Sequence, residues 1–157
     1  LKSLAASTNT PVADLAKRLE QIMEQSAALE KKLKVFRDKE SSQLADALAA
    51  KASDRAGLKY VVSQVSAETP NDLRDLGAKV AGKVGPSAVV VLAAVFGDKV
   101  SLVANCGADA VKAGKAAGKI VTDACGKLGG KGGGKPDAAM GGGTDVSKVA
   151  EALGSVA

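Results

Sequence analysis

The sequence contains no histidine and no tryptophan, and aromatic residues make up only 2% of its 157 residues. Without histidine, the chain lacks the commonest general base and the commonest metal ligand of proteins. The two cysteines, Cys106 and Cys125, are too few for a structural zinc site without histidine partners. We expect them to be small buried hydrophobic residues, with a disulfide as the alternative. The composition therefore predicts no catalytic residues, no metal site and no cofactor.

Long hydrophobic runs are also absent, because no stretch of about eighteen apolar residues occurs. We therefore expect no membrane-spanning segment and a cytoplasmic location. The chain starts at Leu1 with no charged-then-apolar leader, as expected for a piece of a longer protein. Lysine and arginine exceed the acidic residues by five, and the pI is near 9.2. This excess of positive charge favours a polyanionic partner.

The N-terminal part carries an apolar stripe at alternating steps of three and four residues, which is an a/d heptad pattern. Thr10 is the expected N-cap and Pro11 the first helical residue. Two interpretations remain open: the helix folds back on residues 41–56 as a hairpin, or it pairs with a second copy of the chain. In the second case, the dimerisation residues are Leu15, Leu19, Ile22, Leu29, Leu33 and Phe36.

From Gly57 onwards, the pattern changes to short β-branched segments alternating with helical ones. Strands are predicted at 58–65, 87–96 and 99–105, with Gly97 and Asp98 forming a type II′ turn. Helices are predicted at 70–83 and 109–128. The fold class is therefore α+β: a coiled-coil-like helical part at 1–56, then a globular domain at 57–157. We expect the globular domain to have a mixed or antiparallel sheet with helices on one face.

Residues 129–143 read GGKGGGKPDAAMGGG, in which eight of fifteen residues are glycine. The segment begins like the phosphate-binding pattern G-x-x-x-x-G-K-[ST], but Pro136 stands where the hydroxyl should be. Nucleotide hydrolysis is therefore not expected. A flexible linker is the alternative, although the two lysines and the Lys-Pro-Asp turn argue against it.

The excess charge is concentrated beside this glycine-rich segment. Residues 110–136 hold six lysines and one acid, a net charge of +5 that equals that of the whole chain. Backbone amides and ammonium groups together form sites that attract phosphate. Because the segment has no aromatic residue, recognition of a folded RNA by shape and backbone is favoured over base stacking. The candidate nucleic-acid-binding residues are Lys112, Lys115, Lys119, Lys127, Gly129, Gly130, Lys131, Gly132, Gly133, Gly134, Lys135 and Pro136.

The glycine motif, from Gly129 to Asp137 and from Met140 to Asp145, resembles the end of bacterial-type alanyl-tRNA synthetases. The resemblance covers essentially the whole chain. It implies a globular part of the kind shared with DHH-family phosphoesterases, binding the outer corner of tRNA and linking the aminoacylation and editing centres. The phosphoesterases usually have histidine directly after the three glycines, where this chain has Lys135. Together with the missing DHH portion, this departure implies a fragment without catalysis, whose parent would be an alanine-specific aminoacyl-tRNA ligase.

Two other interpretations stay open. The chain could be an oligomerisation module of the synthetase, forming a homodimer and binding nucleic acid in general, including DNA. The least favoured interpretation is a hydrolase that uses carboxylates such as Asp98 and Asp109 with a metal.

Overall fold

The computed structural model describes residues 14–156, apart from the side chain of Leu15. The predicted helix start at Thr10 and Pro11 lies outside the described residues. A single helix, α1, runs through Leu15–Ala50 without a break. The interpretation in which the N-terminal helix folds back on residues 41–56 as a hairpin is therefore wrong. The chain divides into two compact units between Glu40 and Ser41, so the end of α1 belongs to the second unit.

The second unit is built on a six-stranded mixed sheet, which confirms the α+β prediction. Its strands are β1 (Ser53–Arg55), β2 (Leu58–Gln64), β3 (Ala88–Phe96), β4 (Lys99–Cys106), β5 (Lys131–Gly134) and β6 (Ala138–Gly143). They lie in the order β1-β2-β3-β4-β6-β5. Only β2 and β3 run parallel, and every other neighbouring pair is antiparallel.

Four helices accompany the sheet: α2 (Pro70–Val84), α3 (Ala108–Lys112), α4 (Ala117–Lys127) and α5 (Val149–Gly154). Helix α2 makes the crossover that a parallel strand pair needs. Its start follows from the sequence, because Thr69 and Asp72 form a capping box and Pro70 occupies the first turn. None of the helices in the part of the chain that the structure describes is long and apolar enough to cross a membrane.

Two tight turns fix the register of the antiparallel strands. Between β3 and β4, Gly97 has a φ of 61° while Asp98 does not have a positive φ. This confirms the predicted type II′ turn, in which only the first central residue is left-handed. Between β1 and β2, Ala56 and Gly57 both have positive φ, at 53° and 79°. That pattern is typical of a type I′ turn.

Helices cover both faces of the sheet, so the prediction of helices on one face is wrong in that detail. The physical reason is β3, whose uninterrupted apolar run is buried on both sides. Val89, Val91 and Ala93 pack in one core with α4 and α5. Their alternating neighbours from Ala88 to Ala94 pack in a second core with α2 and with the end of α1.

Candidate nucleic-acid interface

The glycine-rich segment is a β-hairpin. Strands β5 and β6 pair from Lys131 opposite Gly142 to Gly134 opposite Ala139. The Lys135-Pro136-Asp137 segment joins them, and the Lys135 N–H donates to the carbonyl of Ala138 at 2.9 Å. The flexible-linker alternative is therefore wrong, because this segment forms a pair of strands. A strand pair satisfies much of the glycine backbone internally.

Close packing of α4 explains two of these glycines, Gly132 and Gly141. A Cβ placed on Gly132 would lie 2.5 Å from Val121 Cγ1, and one on Gly141 would lie 2.6 Å from Cys125 Sγ. From the helix side, a Cβ on Gly118 would lie 2.8 Å from the carbonyl oxygen of Gly134. Side chains at these positions would push the helix off the hairpin. The bare backbone is therefore first a packing requirement.

One glycine of the hairpin has no such role. A Cβ on Gly133 would meet no atom within 4 Å. Successive strand residues point to opposite faces, so Lys131 and Gly133 lie on the face turned away from α4. Both are exposed, and Gly133 pairs with the half-buried Met140. We call Lys131, Gly133 and Met140 the hairpin face.

The hairpin also forms one edge of the sheet, because β5 is the last strand in the order. An edge strand presents alternate N–H and C=O groups outward. One of these, the Gly132 carbonyl, accepts a hydrogen bond from Thr122 Oγ1 at 3.1 Å. Exposed Lys131 and Lys135 stand at the two ends of the strand. A backbone edge between two cations suits a phosphate chain passing along it.

The segments flanking β5 tie the hairpin to α4. At the end of α4, Gly129 has a φ of 67°, a left-handed conformation that favours glycine. The next amide, of Gly130, donates to the Cys125 carbonyl at 2.9 Å. At the other end, the Pro136 carbonyl accepts from the N–H of Ala117 at 2.8 Å. Three of the candidate residues therefore hold the site together.

The predicted single helix at 109–128 is wrong, because the chain bends between α3 and α4. Gly114 has a φ of 84°, which ends α3 and redirects the chain. Lys112, Lys115 and Lys119 therefore do not form one row on one helix. Lys112 lies 3.8 Å from the Asp109 carboxylate, an exposed ion pair of little energetic weight. Lys127 is exposed in the last turn of α4.

The structure brings Lys115 and Lys119 into a cleft with residues that the sequence analysis did not select. Tyr60 reaches this cleft from β2, and Ser155 reaches it from the end of α5. Asp123 also lines it. No spacing signal connects residue 60 with residue 115, because only the packing of α4 and α5 against β2 makes them neighbours. An aromatic ring therefore does lie beside the basic segment, contrary to the expectation from its local composition.

The two cysteines are free and buried, so the disulfide alternative is wrong. Cys125 lies under the hairpin, close to where Gly132 and Gly141 pass. Burial raises the pKa of the Cys106 thiol to about 11, and the Asp137 carboxylate adds to the rise. Burial also raises the pKa of Cys125. Both residues are hydrophobic packing elements, and neither has the lowered pKa of a reactive thiol.

The carboxylates of the hydrolase interpretation do not come together. Asp98 precedes the first residue of the eight-residue strand β4, whereas Asp109 follows its last residue. At about 3.3 Å per strand residue, the two lie roughly 25 Å apart. They cannot share a metal ion, so this interpretation is wrong for that pair.

The mixed sheet, the helices on its two faces and the glycine hairpin define the class of domain to which this chain belongs. The sequence model of the DHHA1 domain matches residues 57–157, and the chain belongs to that family. Among solved structures, the C-Ala domain of Aquifex aeolicus alanyl-tRNA synthetase has the same fold. The match has a TM-score of 0.62 and 24% identity, and it covers 68% of this chain and 94% of that one.

Similar sequences narrow the comparison to one kind of protein. The alanine–tRNA ligase of Opitutus terrae is 48% identical over 153 residues, which is 98% of this chain and 16% of the ligase. That of Saccharophagus degradans is 43% identical over 143 residues, 91% of this chain and 16% of the ligase. The predicted resemblance to the C-terminal domain of alanyl-tRNA synthetases is confirmed. The chain spans about a sixth of the length of these relatives.

Proposed function

We propose that this chain is the tRNA-binding part of an alanine–tRNA ligase and that it binds the outer corner of tRNA. In the whole ligase, it would link the aminoacylation and editing centres on one tRNA. Both reactions would take place outside this chain. The observation that carries the proposal is the +5 charge of residues 110–136, which equals the net charge of all 157 residues. The similarity to alanine–tRNA ligases supports tRNA as the polyanion.

The hairpin places two of these lysines where a sugar–phosphate backbone can lie between them. Lys131 and Lys135 are exposed at the two ends of β5, and Gly133 leaves open space between them. A phosphate chain can therefore approach the backbone of Gly133 without meeting a side chain on that residue. Contacts to phosphate position an RNA without reading its sequence, and this suits recognition of the overall fold of tRNA.

A pair of matched double variants tests the hairpin. Lys131→Ala with Lys135→Ala removes the two strand-end cations. Lys17→Ala with Lys31→Ala removes two exposed lysines of α1, on the side opposite the heptad stripe. Each double variant lowers the net charge by the same two units. Affinity for tRNA is measured by filter binding at several salt concentrations.

We expect the hairpin variant to bind roughly tenfold or more weakly, because each lost phosphate contact removes counterion release. Its slope of log affinity against log salt should flatten by about one to two units. The α1 variant should change neither quantity appreciably. Equal losses in both variants would show that only net charge matters and would contradict the role of the hairpin.

A second function, self-association through α1, is favoured by one observation. Leu19, Leu29 and Phe36 of the heptad stripe are 59%, 65% and 67% exposed. Ile22 and Leu33 are 41% and 52% exposed. A row of large apolar side chains in water at a/d spacing is the pattern of a helix that pairs with another helix. We therefore propose a homodimer contact along this stripe, with Leu15 at its start as a sequence-based prediction.

Sedimentation of two variants of equal charge tests this contact. Leu19→Asp with Ile22→Asp places carboxylates in the stripe, whereas Gln21→Asp with Ala28→Asp adds the same charge beside it. We expect a mass that rises with concentration in the native chain and in the second variant. The first variant should remain a monomer. A native chain that is monomeric at every accessible concentration removes the proposal.

General nucleic-acid binding, including DNA, is checked by titrating a DNA duplex alongside tRNA.

A further inference from the structure

The cleft beside α4 combines groups that a simple phosphate site does not need. It has a volume of about 220 Å³ and lies where Gly114 bends the chain between α3 and α4. Lys115 and Lys119 line one part of it, together with the Asp123 carboxylate. The remaining lining includes the Tyr60 ring, the Ile120 side chain and the Ser155 hydroxyl.

The charged groups of the cleft have no ion-pair partner within residues 14–156. Lys119 and Asp123 are four residues apart on α4, at the spacing of a helical ion pair. The two nevertheless form no salt bridge, and Lys115 has none either, among the residues that the structure describes. All three residues are exposed. Two unpaired cations and one unpaired carboxylate suit a ligand that carries both a negative group and N–H donors.

The apolar side of the cleft is held firmly by the core. Tyr60 is half-buried, and both it and Ile120 pack against the buried cluster around β3 and α4. A ring fixed in this way offers a preformed surface for a planar group, because little conformational freedom is lost on binding. The volume is below the roughly 300–1,000 Å³ of pockets for drug-sized ligands. One nucleotide suits the size better than a large cofactor does.

We propose that this cleft binds a single unpaired nucleotide of RNA. The base stacks on Tyr60, the phosphate lies between Lys115 and Lys119, and the Asp123 carboxylate accepts a hydrogen bond from an amino group on the base edge. Unstacked bases bound by aromatic rings and by polar groups at their edges are the usual targets of sequence-specific RNA recognition. The inference rests on the proposed binding of RNA and adds a base-reading site separate from the hairpin face.

The single tyrosine of the chain provides a selective probe. The sequence has one tyrosine, so a chain labelled with 3-fluorotyrosine gives one fluorine NMR signal, from Tyr60. The chain is titrated with AMP, CMP, GMP and UMP, and separately with ribose 5-phosphate and inorganic phosphate. We expect a saturable shift with the three nucleotides whose bases carry an amino group. Binding of UMP should be weaker, and the two base-free phosphates should shift the signal little.

Variants assign the roles in the cleft. Lys115→Ala with Lys119→Ala should weaken nucleotide binding by about tenfold or more, since the phosphate loses both cations. Asp123→Asn should reduce the preference for amino-bearing bases over UMP, because an amide both donates and accepts. Lys17→Ala with Lys31→Ala on α1 removes the same charge, is the matched control and should leave the nucleotide titration unchanged.

The outcomes separate this inference from the proposed function. If no nucleotide shifts the Tyr60 signal at concentrations up to about 10 mM while tRNA still binds, the nucleotide site in the cleft is wrong and the proposed function stands. Equal shifts with inorganic phosphate and nucleotides would overturn the stacking on Tyr60. Saturable nucleotide binding without tRNA binding would support the cleft and contradict the proposed function.

Discussion

Replacing Gly132 with alanine should destabilise the globular unit, because α4 leaves no room for a methyl group on β5. The new Cβ would lie 2.5 Å from Val121 Cγ1, 2.9 Å from Gly141 Cα and 3.0 Å from Cys125 Sγ. Two of these neighbours belong to α4 and one to the paired strand. The helix and the hairpin would have to separate by several tenths of an ångström or more to admit the methyl group.

Overpacking of this kind costs about 1–3 kcal/mol. The neighbouring Gly133 provides the control, since a Cβ there meets nothing within 4 Å and its φ is not left-handed. Gly133→Ala should leave stability unchanged or raise it by about 0.4–1 kcal/mol, because alanine restricts the unfolded chain. The two variants differ by position only, and their unfolding free energies should differ by about 1–4 kcal/mol, with Gly132→Ala the less stable.

Urea unfolding followed by circular dichroism measures this difference. Adding Val121→Ala to Gly132→Ala removes the nearest clashing atom, so we expect the double variant to cost less than the sum of the two single variants. Equal stability of the Gly132 and Gly133 variants would refute the argument that α4 packing requires glycine at position 132. Strict additivity with Val121→Ala would refute the particular contact.

Three further predictions concern the interior. Gly77→Ala should destabilise the chain by about 1–3 kcal/mol in urea unfolding, because its Cβ would lie 2.6 Å from Asn105 Oδ1. That buried oxygen has no hydrogen-bond partner among the described residues. Gly82 lies on the same helix, and a Cβ there meets no atom within 4 Å, so Gly82→Ala should stabilise the chain by up to about 1 kcal/mol. A loss of stability in both variants would show that the helix, and not the contact with Asn105, is the cause. Cys106 and Cys125 should resist a thiol reagent at pH 8 until the chain unfolds, and rapid labelling of the native chain would contradict their burial. The pKa of the Cys106 thiol is about 11 in the folded chain, against an ordinary value of 9.0. The contribution of this thiol to the free energy of unfolding should therefore be complete below pH 9 and decline towards pH 11. A free energy of unfolding that stays constant over that range would contradict the shift.

Local signals in the sequence were sufficient for the elements that local chemistry determines. Thr69, Pro70 and Asp72 fix the start of α2, and Gly97 fixes the turn between β3 and β4. The heptad pattern predicted a long N-terminal helix, and α1 runs to Ala50. In each case, the residues that determine the element lie close together in the sequence.

The remaining features depend on contacts between distant residues. The glycines of β5 suggest a loop by composition, and only the approach of α4 shows why strands can form there. Gly114 fits a helical small-residue face by spacing, yet it ends α3 with a left-handed φ. Tyr60 becomes part of the basic site only when β2 packs against α4 and α5. No local pattern carries this kind of information.

A comparison of two RNAs shows whether the chain binds the outer corner of tRNA. One is full-length alanine tRNA, and the other is a minihelix that contains the acceptor stem and lacks the outer corner. Both RNAs are titrated with the chain at two salt concentrations. We expect tighter binding of the full tRNA at both concentrations, because the corner supplies contacts that the minihelix lacks. Equal affinities that fall steeply and in parallel with salt would indicate general electrostatic capture and would contradict binding at the corner.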